Sequence, residues 1–413
     1  MKILHLSTHD AQGGAAKAAY RIHHSQRKIG LDSTLMVIAK QNNDPSVILP
    51  NSLDHRAKLK LYKTIKENQA IYAKQMHKDG SLISTGRVGI DLVKEINDSP
   101  YDLVNLHWII NMLSIKDIGK IIKPVVWTFH DMWPLNGIFH YFDQNEYKIN
   151  VNNNKNASSL DCTELDHLIF SEKKKNWNNQ TFTVITPSYW LSNCAKESAL
   201  FRKSSIHTIP HPILLSNFYR RDTITSRQEL GLPLDQKLIL FCATNSLKNT
   251  IKGWKTVLET MQHLEVSEYG KYSLIICGNK EKKYPLPFRA YWLGKINEDE
   301  LLAKLYSAVD VVICPSRQEA FGQVALEAQA CGTPVVASDV GGYKDIIKHN
   351  KTGLLVNKND SNAFAAGICK ILSPYVDIKK ISKNSIDNAF SLSEMNMIAN
   401  KYYDIYKKII SAK

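Results

Sequence analysis

Residues 311–342, VVICPSRQEAFGQVALEAQACGTPVVASDVGG, limit the fold of this chain more than any other stretch. VVICPS is an apolar, β-branched run closed by a turn former, the pattern of a strand buried on both faces of a parallel sheet. QVALEAQA consists of good helix formers, and Gly332-Thr333-Pro334 stops it before the apolar run PVVAS. Strand, helix and strand in that order predict an α/β fold. Glu319 then falls in the loop at the carboxyl end of the first strand, where open α/β sheets hold their ligands. Phe321, Gly322 and Gln323 are expected at the helix start, where backbone N–H groups at the positive end of the dipole suit a phosphate. Glu327 follows Glu319 by eight residues, roughly 12 Å further along at the helical rise. Two carboxylates flanking an anion site could grip hydroxyls at both ends of a phosphorylated ligand. Taken alone, two such glutamates are usually a helix-capping acid and a residue of a solvated helix face.

At 413 residues the chain can form two domains, each with its own core. Lys and Arg number 53 against 39 Asp and Glu, a net charge of +14. The excess is shared between the two halves, and no RNP, zinc-knuckle or helix-turn-helix pattern accompanies it. The charge therefore suits a phosphorylated substrate or an anionic membrane surface better than nucleic acid. Residues 55–78, HRAKLKLYKTIKENQAIYAKQMHK, hold seven Lys or Arg and one acid, with Leu59, Tyr62, Ile65, Tyr72 and Met76 as a rough apolar stripe. Such a helix could lie on an anionic membrane or simply turn its lysines to water. The seven cysteines include no CxxC pair, and three sit inside apolar runs, which reads as buried reduced thiols in a cytoplasmic protein. MKILHLS is too short for a signal peptide, and no run approaches the ~18 apolar residues of a membrane helix.

In chain order, KILHLS is a strand, and Gly13-Gly14 turns the chain into a helix. YDLVNLHW and PVVWTFHD are two more strands, ending in His107 and His130. A strand-end histidine is most often a hydrogen-bonded core residue, and His107 is read so. Residues 143–165 are Asn-rich and expected to form an exposed loop. TIPHPILLSNFYRR, 208–221, has two prolines and no period, so the interdomain linker is expected there. KLILFCA starts a second series, and Lys252 precedes Gly253 and a helix, from which its ammonium could reach a diphosphate. NEDE, 297–300, looks like the acidic first turn of a helix rather than a metal cluster. Residues 391–410 form an amphipathic helix with Met395, Ile398, Tyr402, Ile405 and Ile409 on one side.

ExFGxxxxE at 319–327, EAxAxGxPVVAxxxGGxxDII at 327–347 and TGLLV at 352–356 resemble the donor-binding signature of the family 4 glycosyltransferases of GT-B fold. The first βαβ, with Gly13 and Gly14, and the HDMWPLNGIFHY segment at 130–141 resemble members that build bacterial exopolysaccharides and O-antigens. The resemblance implies two Rossmann-like αβα domains facing across a cleft: residues 1–207 on the acceptor side and 208–390 for the donor, with the helix in 391–413 packing back on the first. It implies a retaining transferase in the cytoplasm, peripheral on the inner face of the plasma membrane, that moves a sugar from a UDP- or GDP-sugar to a saccharide or lipid-linked saccharide acceptor. By the same resemblance Gly13-Gly14 lie near the acceptor, and His130 against the donor sugar and phosphate. Lys252 and the upstream Lys248 reach the diphosphate, Trp292-Leu293 the base, Glu319 the sugar hydroxyls and Glu327 the ribose. With Glu319 holding hydroxyls, no carboxylate is left as a covalent nucleophile, and front-face attack without cofactor or metal is expected. A nucleotide-sugar epimerase or hydrolase on this fold, or a non-catalytic scaffold subunit, are the other readings.

Overall fold

The structure, a computed structural model, describes residues 1–54, 64, 82–141, 162–243, 250–265, 272–278 and 286–412. The basic run at 55–78, apart from Thr64, and Lys248 lie outside the described residues. The chain divides into two compact units, Met1–Pro210 with Asn396–Lys413 and His211–Met395.

In the first unit, β1 (Lys2–His9), β2 (Asp32–Ala39), β3 (Val47–Ile48), β4 (Leu103–Leu106), β5 (Val125–Thr128), β6 (Phe182–Thr186) and β7 (Ser205–Thr208) form one sheet. Its order is β3-β2-β1-β4-β5-β6-β7 and its pairs are parallel. In the second, β8 (Lys237–Cys242), β9 (Tyr272–Cys277), β10 (Ala290–Trp292), β11 (Val311–Cys314), β12 (Val335–Ser338) and β13 (Gly353–Val356) run parallel in the order β10-β9-β8-β11-β12-β13. The continuous apolar runs are why: β4, β5, β11 and β12 are buried along their whole length, as strands covered on both faces must be. The expected α/β class with two Rossmann-like halves is the architecture found.

Each sheet reverses its strand order once, at β1 beside β4 in the first unit and at β8 beside β11 in the second. The loops leaving those neighbouring strands diverge to opposite faces and open a crevice at their carboxyl ends. Glu319 and Lys252 follow β11 and β8, whereas Gly13 and His107 follow β1 and β4.

Three local expectations need correction. Residues 211–221 are no free linker, because Ile213 and Phe218 are buried in the second unit's core and the Ile213 N–H donates to Ser393 O at 3.1 Å. The loop expected over 143–165 ends sooner: residues 142–161 lie outside the description, and a helix starts at Cys162. The helix expected over 391–410 is two, Ile378–Ser393 and Met395–Ser411, broken at Glu394 with ψ 131°. The break lets them serve different cores. Asn388 of the former donates to Gln329 Oε1 at 2.9 Å and Ile346 O at 2.8 Å, within the second unit. Ile398, Tyr402, Ile405 and Tyr406 of the latter pack with Ile3, Ile22, Leu103 and Val126 of the first.

Candidate active site

In the second unit, Glu319 Oε2 lies 2.8 Å from Lys252 Nζ, with the two side chains only 14% and 27% exposed. The hydroxyls of Ser316 and Tyr343 donate to the same oxygen at longer range, 3.4 Å each. Backbone packing brings these groups together. Gly253 has φ +74°, and a Cβ there would lie 2.1 Å from Pro315 O. Only glycine lets the loop after β8 lie flat on the loop after β11. The Arg317 N–H then donates to Ile251 O at 2.8 Å, which locks the two loops. Gly341, φ +49°, does the same from β12: its Cβ would meet Glu319 O at 2.0 Å, and the Gly342 N–H donates to that oxygen at 2.9 Å. The GG of the motif is thus the floor on which Glu319 rests. Burial, reinforced by Cys314 and the Glu319 carboxylate, pushes the Tyr343 phenol well above its ordinary range, so it stays a donor.

The helix begins at Gln323 with Gly322 as its N-cap, so Phe321 precedes it rather than opening it. The Phe321 ring packs instead edge-on against His211, centroids 4.9 Å apart. Glu327 is 4% exposed and accepts the Tyr306 hydroxyl at 2.9 Å. Neither glutamate caps this helix or sits on a solvated face, so the plain reading of the pair fails. Trp292 ends β10 and packs against Trp254, which stacks on Phe241, and the Leu293 N–H donates to Ile276 O at 2.9 Å. A cavity of about 460 Å³ lined by Thr250, Gly253, Trp254 and Arg317 adjoins the Lys252 loop, but neither Lys252 nor Glu319 lines it. Cys194, Cys242, Cys277, Cys314, Cys331 and Cys369 are free thiols, and burial pushes Cys314 and Cys331 up to about 12, out of the reactive range.

In the first unit, Gly13 caps the helix Gly14–Lys28 with φ +90°. Nothing lies within 4 Å of a Cβ at Gly13, so its backbone angle, not a close approach, calls for glycine. His130 Nε2 is 2.9 Å from His107 Nδ1, and His107 Nε2 is 2.9 Å from His5 Nδ1. His107 is 3% exposed, as a strand-end core histidine should be. Burial lowers His130 to about 4, with Asp131 opposing, so the ring is neutral at pH 7. Beside it, Asp131 Oδ2 meets His140 Nδ1 at 2.6 Å and the Trp108 indole N–H at 3.1 Å, while His140 Nε2 meets Ser84 Oγ at 2.8 Å. Lys173, fully buried, donates to Trp133 O and to Asn136 O at 2.7 Å and ties down the turn after Asp131. Burial drives its pKa far down.

Sequence reasoning missed Ser316, Tyr343 and Tyr306, and in the first unit His5 and Gln26. One signal was on view: a histidine in the middle of the apolar run KILHLS must find partners inside the sheet. Among the described residues, no three His, Cys, Asp or Glu side chains are grouped as a metal site. No described helix is long and apolar enough to cross a membrane.

Residues 222–389 match the family model described as glycosyl transferases group 1. Over its whole length the chain has the GT-B fold. An uncharacterized glycosyltransferase of Methanocaldococcus jannaschii is 33% identical over 46% of this chain and 50% of its own length. A D-inositol 3-phosphate glycosyltransferase of Xylanimonas cellulosilytica is 37% identical over 34% of each chain. The chain thus spans about half or less of the curated relatives it matches. Sucrose-phosphate synthase of Thermosynechococcus elongatus superposes with a TM-score of 0.67 at 21% identity, covering 100% of both chains. Anabaena HepE, solved in complex with UDP, gives 0.64 at 16%, covering 99% and 100%. At these identities the two structures speak for the GT-B fold alone, and the site residues within 222–389 stand on their own geometry.

Proposed function

We propose that this GT-B protein is a retaining glycosyltransferase that moves a sugar from a nucleotide sugar, UDP- or GDP-linked, to a saccharide acceptor. The Lys252–Glu319 pair at the strand-order reversal of the second sheet carries the reading. It sets a cation and a hydrogen-bond acceptor side by side, next to a helix start, where a diphosphate and a sugar would meet. In this reading Lys252, joined by Lys248, and the helix start at Gly322–Gln323 neutralise the departing diphosphate. Glu319 accepts from the sugar hydroxyls, Glu327 from the ribose, and Trp292-Leu293 flank the base. Gly13-Gly14 and His130 attend the acceptor and the transferred sugar. The diphosphate takes the acceptor's proton on the face it leaves, and the protein contributes positioning and fixed charge, with no cofactor or divalent metal.

A thermal-shift screen of UDP-, GDP- and ADP-sugars tests donor binding, since a ligand of the native state raises its stability by RT ln(1 + [L]/Kd). HepE's complex with UDP puts UDP-sugars first. The cognate donor should then be consumed only when a saccharide acceptor is present, with its anomeric configuration kept in the product. Consumption without acceptor would instead indicate a hydrolase or epimerase, and no donor binding at all a scaffold.

We place the acceptor among lipid-linked saccharides of bacterial surface polysaccharide synthesis, with the protein resting on the cytoplasmic face of the membrane. The basic run at 55–78 is the feature that supports this. Replacing Lys58, Lys60, Lys63 and Lys66 by Gln should weaken binding to anionic liposomes by about 1 kcal/mol per lysine. Unchanged binding would remove the membrane from the proposal.

A further inference from the structure

The hydrogen bonds behind His130 run much further than its neighbour. His130 Nε2 meets His107 Nδ1, His107 Nε2 meets His5 Nδ1, and His5 Nε2 meets Gln26 Oε1, each at 2.9 Å. The Gln26 amide nitrogen donates to Tyr406 OH at 3.1 Å, and the Asn105 amide donates to the same hydroxyl at 2.7 Å. The line crosses β1, the loops after β4 and β5, the helix Gly14–Lys28 and the C-terminal helix. His5, Gln26 and Tyr406 are fully buried.

A neutral imidazole has one N–H and one bare nitrogen, so rings joined Nδ1 to Nε2 cannot choose their tautomers independently. The Gln26 carboxamide oxygen can only accept, so His5 carries its proton on Nε2. His5 Nδ1 is then an acceptor, which puts the His107 proton on Nε2. His107 Nδ1 is an acceptor in turn, which puts the His130 proton on Nε2 as well. We propose that Gln26, with its carboxamide oxygen turned to His5, sets the tautomer of His130 through His5 and His107, and so fixes His130 Nδ1 as a hydrogen-bond acceptor. Gln26 is a positioning residue, some three side chains removed from the group it controls. Burial lowers both His5 and His130 to about 4, so the rings at the two ends of the line are uncharged at pH 7. An Nδ1 of this kind takes a hydroxyl hydrogen and is unsuited to a phosphate oxygen, which has none to give. Resting on the proposed transfer, this directs His130 to a saccharide hydroxyl rather than to the diphosphate.

The test uses the full chain labelled with ¹⁵N-histidine, because the two ring nitrogens of each tautomer are distinguished by their shifts and couplings. At pH 7.5, His5, His107 and His130 should all show protonated Nε2 and bare Nδ1. Gln26→Leu, which offers no acceptor, should leave His130 in mixed tautomers, and Gln26→Glu should restore the single Nε2–H form. On the cognate donor, Gln26→Leu should lower kcat by ~10-fold with KM changed less than twofold, and Gln26→Glu should recover most of it. A wild-type His130 with its proton on Nδ1, or one unmoved by Gln26→Leu, overturns the proposal. Should Gln26→Leu not fold, the wild-type spectrum decides alone: protonated Nε2 on all three rings supports the proposal, and a proton on Nδ1 of any of them overturns it. The spectra need no substrate, so a chain that turns over no donor would sink the proposed function and leave this inference to stand or fall alone.

Discussion

The two units share one topology and put polar groups at the same place, the strand ends beside the reversal of strand order, yet they equip it in opposite ways. The second unit offers an ion pair, Lys252 and Glu319, partly open to water and bordered by the neutral phenol of Tyr343. The first offers a line of imidazoles, of which His5 and His130 are kept uncharged by desolvation. A charged pair can meet a charged ligand directly, because each partner has a ready substitute for the other. A neutral line can only present a direction, donor or acceptor, and needs the whole sheet to hold it. On the proposed function, the second unit would manage charge and the first hydroxyl orientation.

The largest expected effect breaks the charged side. Glu319→Ala should reduce turnover by about 10²–10³-fold, the scale seen when a preorganised polar partner of the transition state is removed. Binding of the free nucleoside diphosphate should be no weaker, since Lys252 loses the carboxylate that competes for it. Calorimetry beside steady-state rates would show the split, and equal losses in both would contradict the assignment.

Acid tests the neutral side. His5 is held at about 4 in the fold against 6.5 outside it, so between those values the unfolded chain binds a proton that the native chain does not. Stability contributed by the neutral ring is therefore full above pH 6.5 and falls as the pH drops toward 4, by about 3 kcal/mol for His5 alone. His23, lowered to about 3 chiefly by burial, acts in the same direction. The first unit buries His5, His23, His107 and His140, whereas the second buries only His211 among the described residues. Hydrogen exchange at pH 7.5 and 5, corrected for the intrinsic pH dependence, should show protection lost in the first unit before the second. Equal loss in both would erase this contrast.

A smaller effect separates fold from binding within the second unit. Tyr306→Phe removes the donor to the buried Glu327 carboxylate and should cost about 1–3 kcal/mol by urea unfolding. Glu327→Ala should in addition weaken nucleotide binding. If both variants bind nucleotide like the parent, Glu327 belongs to the core and not to the ligand.

The smallest expected effect is none. On the proposal that Lys252 and the helix start neutralise the diphosphate, activity should persist in excess EDTA. A loss restored by Mn²⁺ or Mg²⁺ would put a cation where the ion pair is assigned that task.

What the sequence alone determined was local. The buried strands, the helix between them, the glycines at 253 and 341 and the order Glu319, Gly322, Glu327 all lie within short windows, where periodicity and turn chemistry speak plainly. That is why the second unit's architecture, and the nearness of its charged residues to one crevice, were legible before any coordinates. Only the tertiary structure decided which groups those residues answer to. Tyr306 finds Glu327 from another helix, and the helix break at Glu394 sends Tyr406 into a core begun by Ile3. His5, Gln26, His107, His130 and Tyr406 are spread over the length of the chain, and no spacing links them. They meet because parallel strands far apart in sequence lie side by side, and because a buried polar ring must find its partner wherever the fold supplies one.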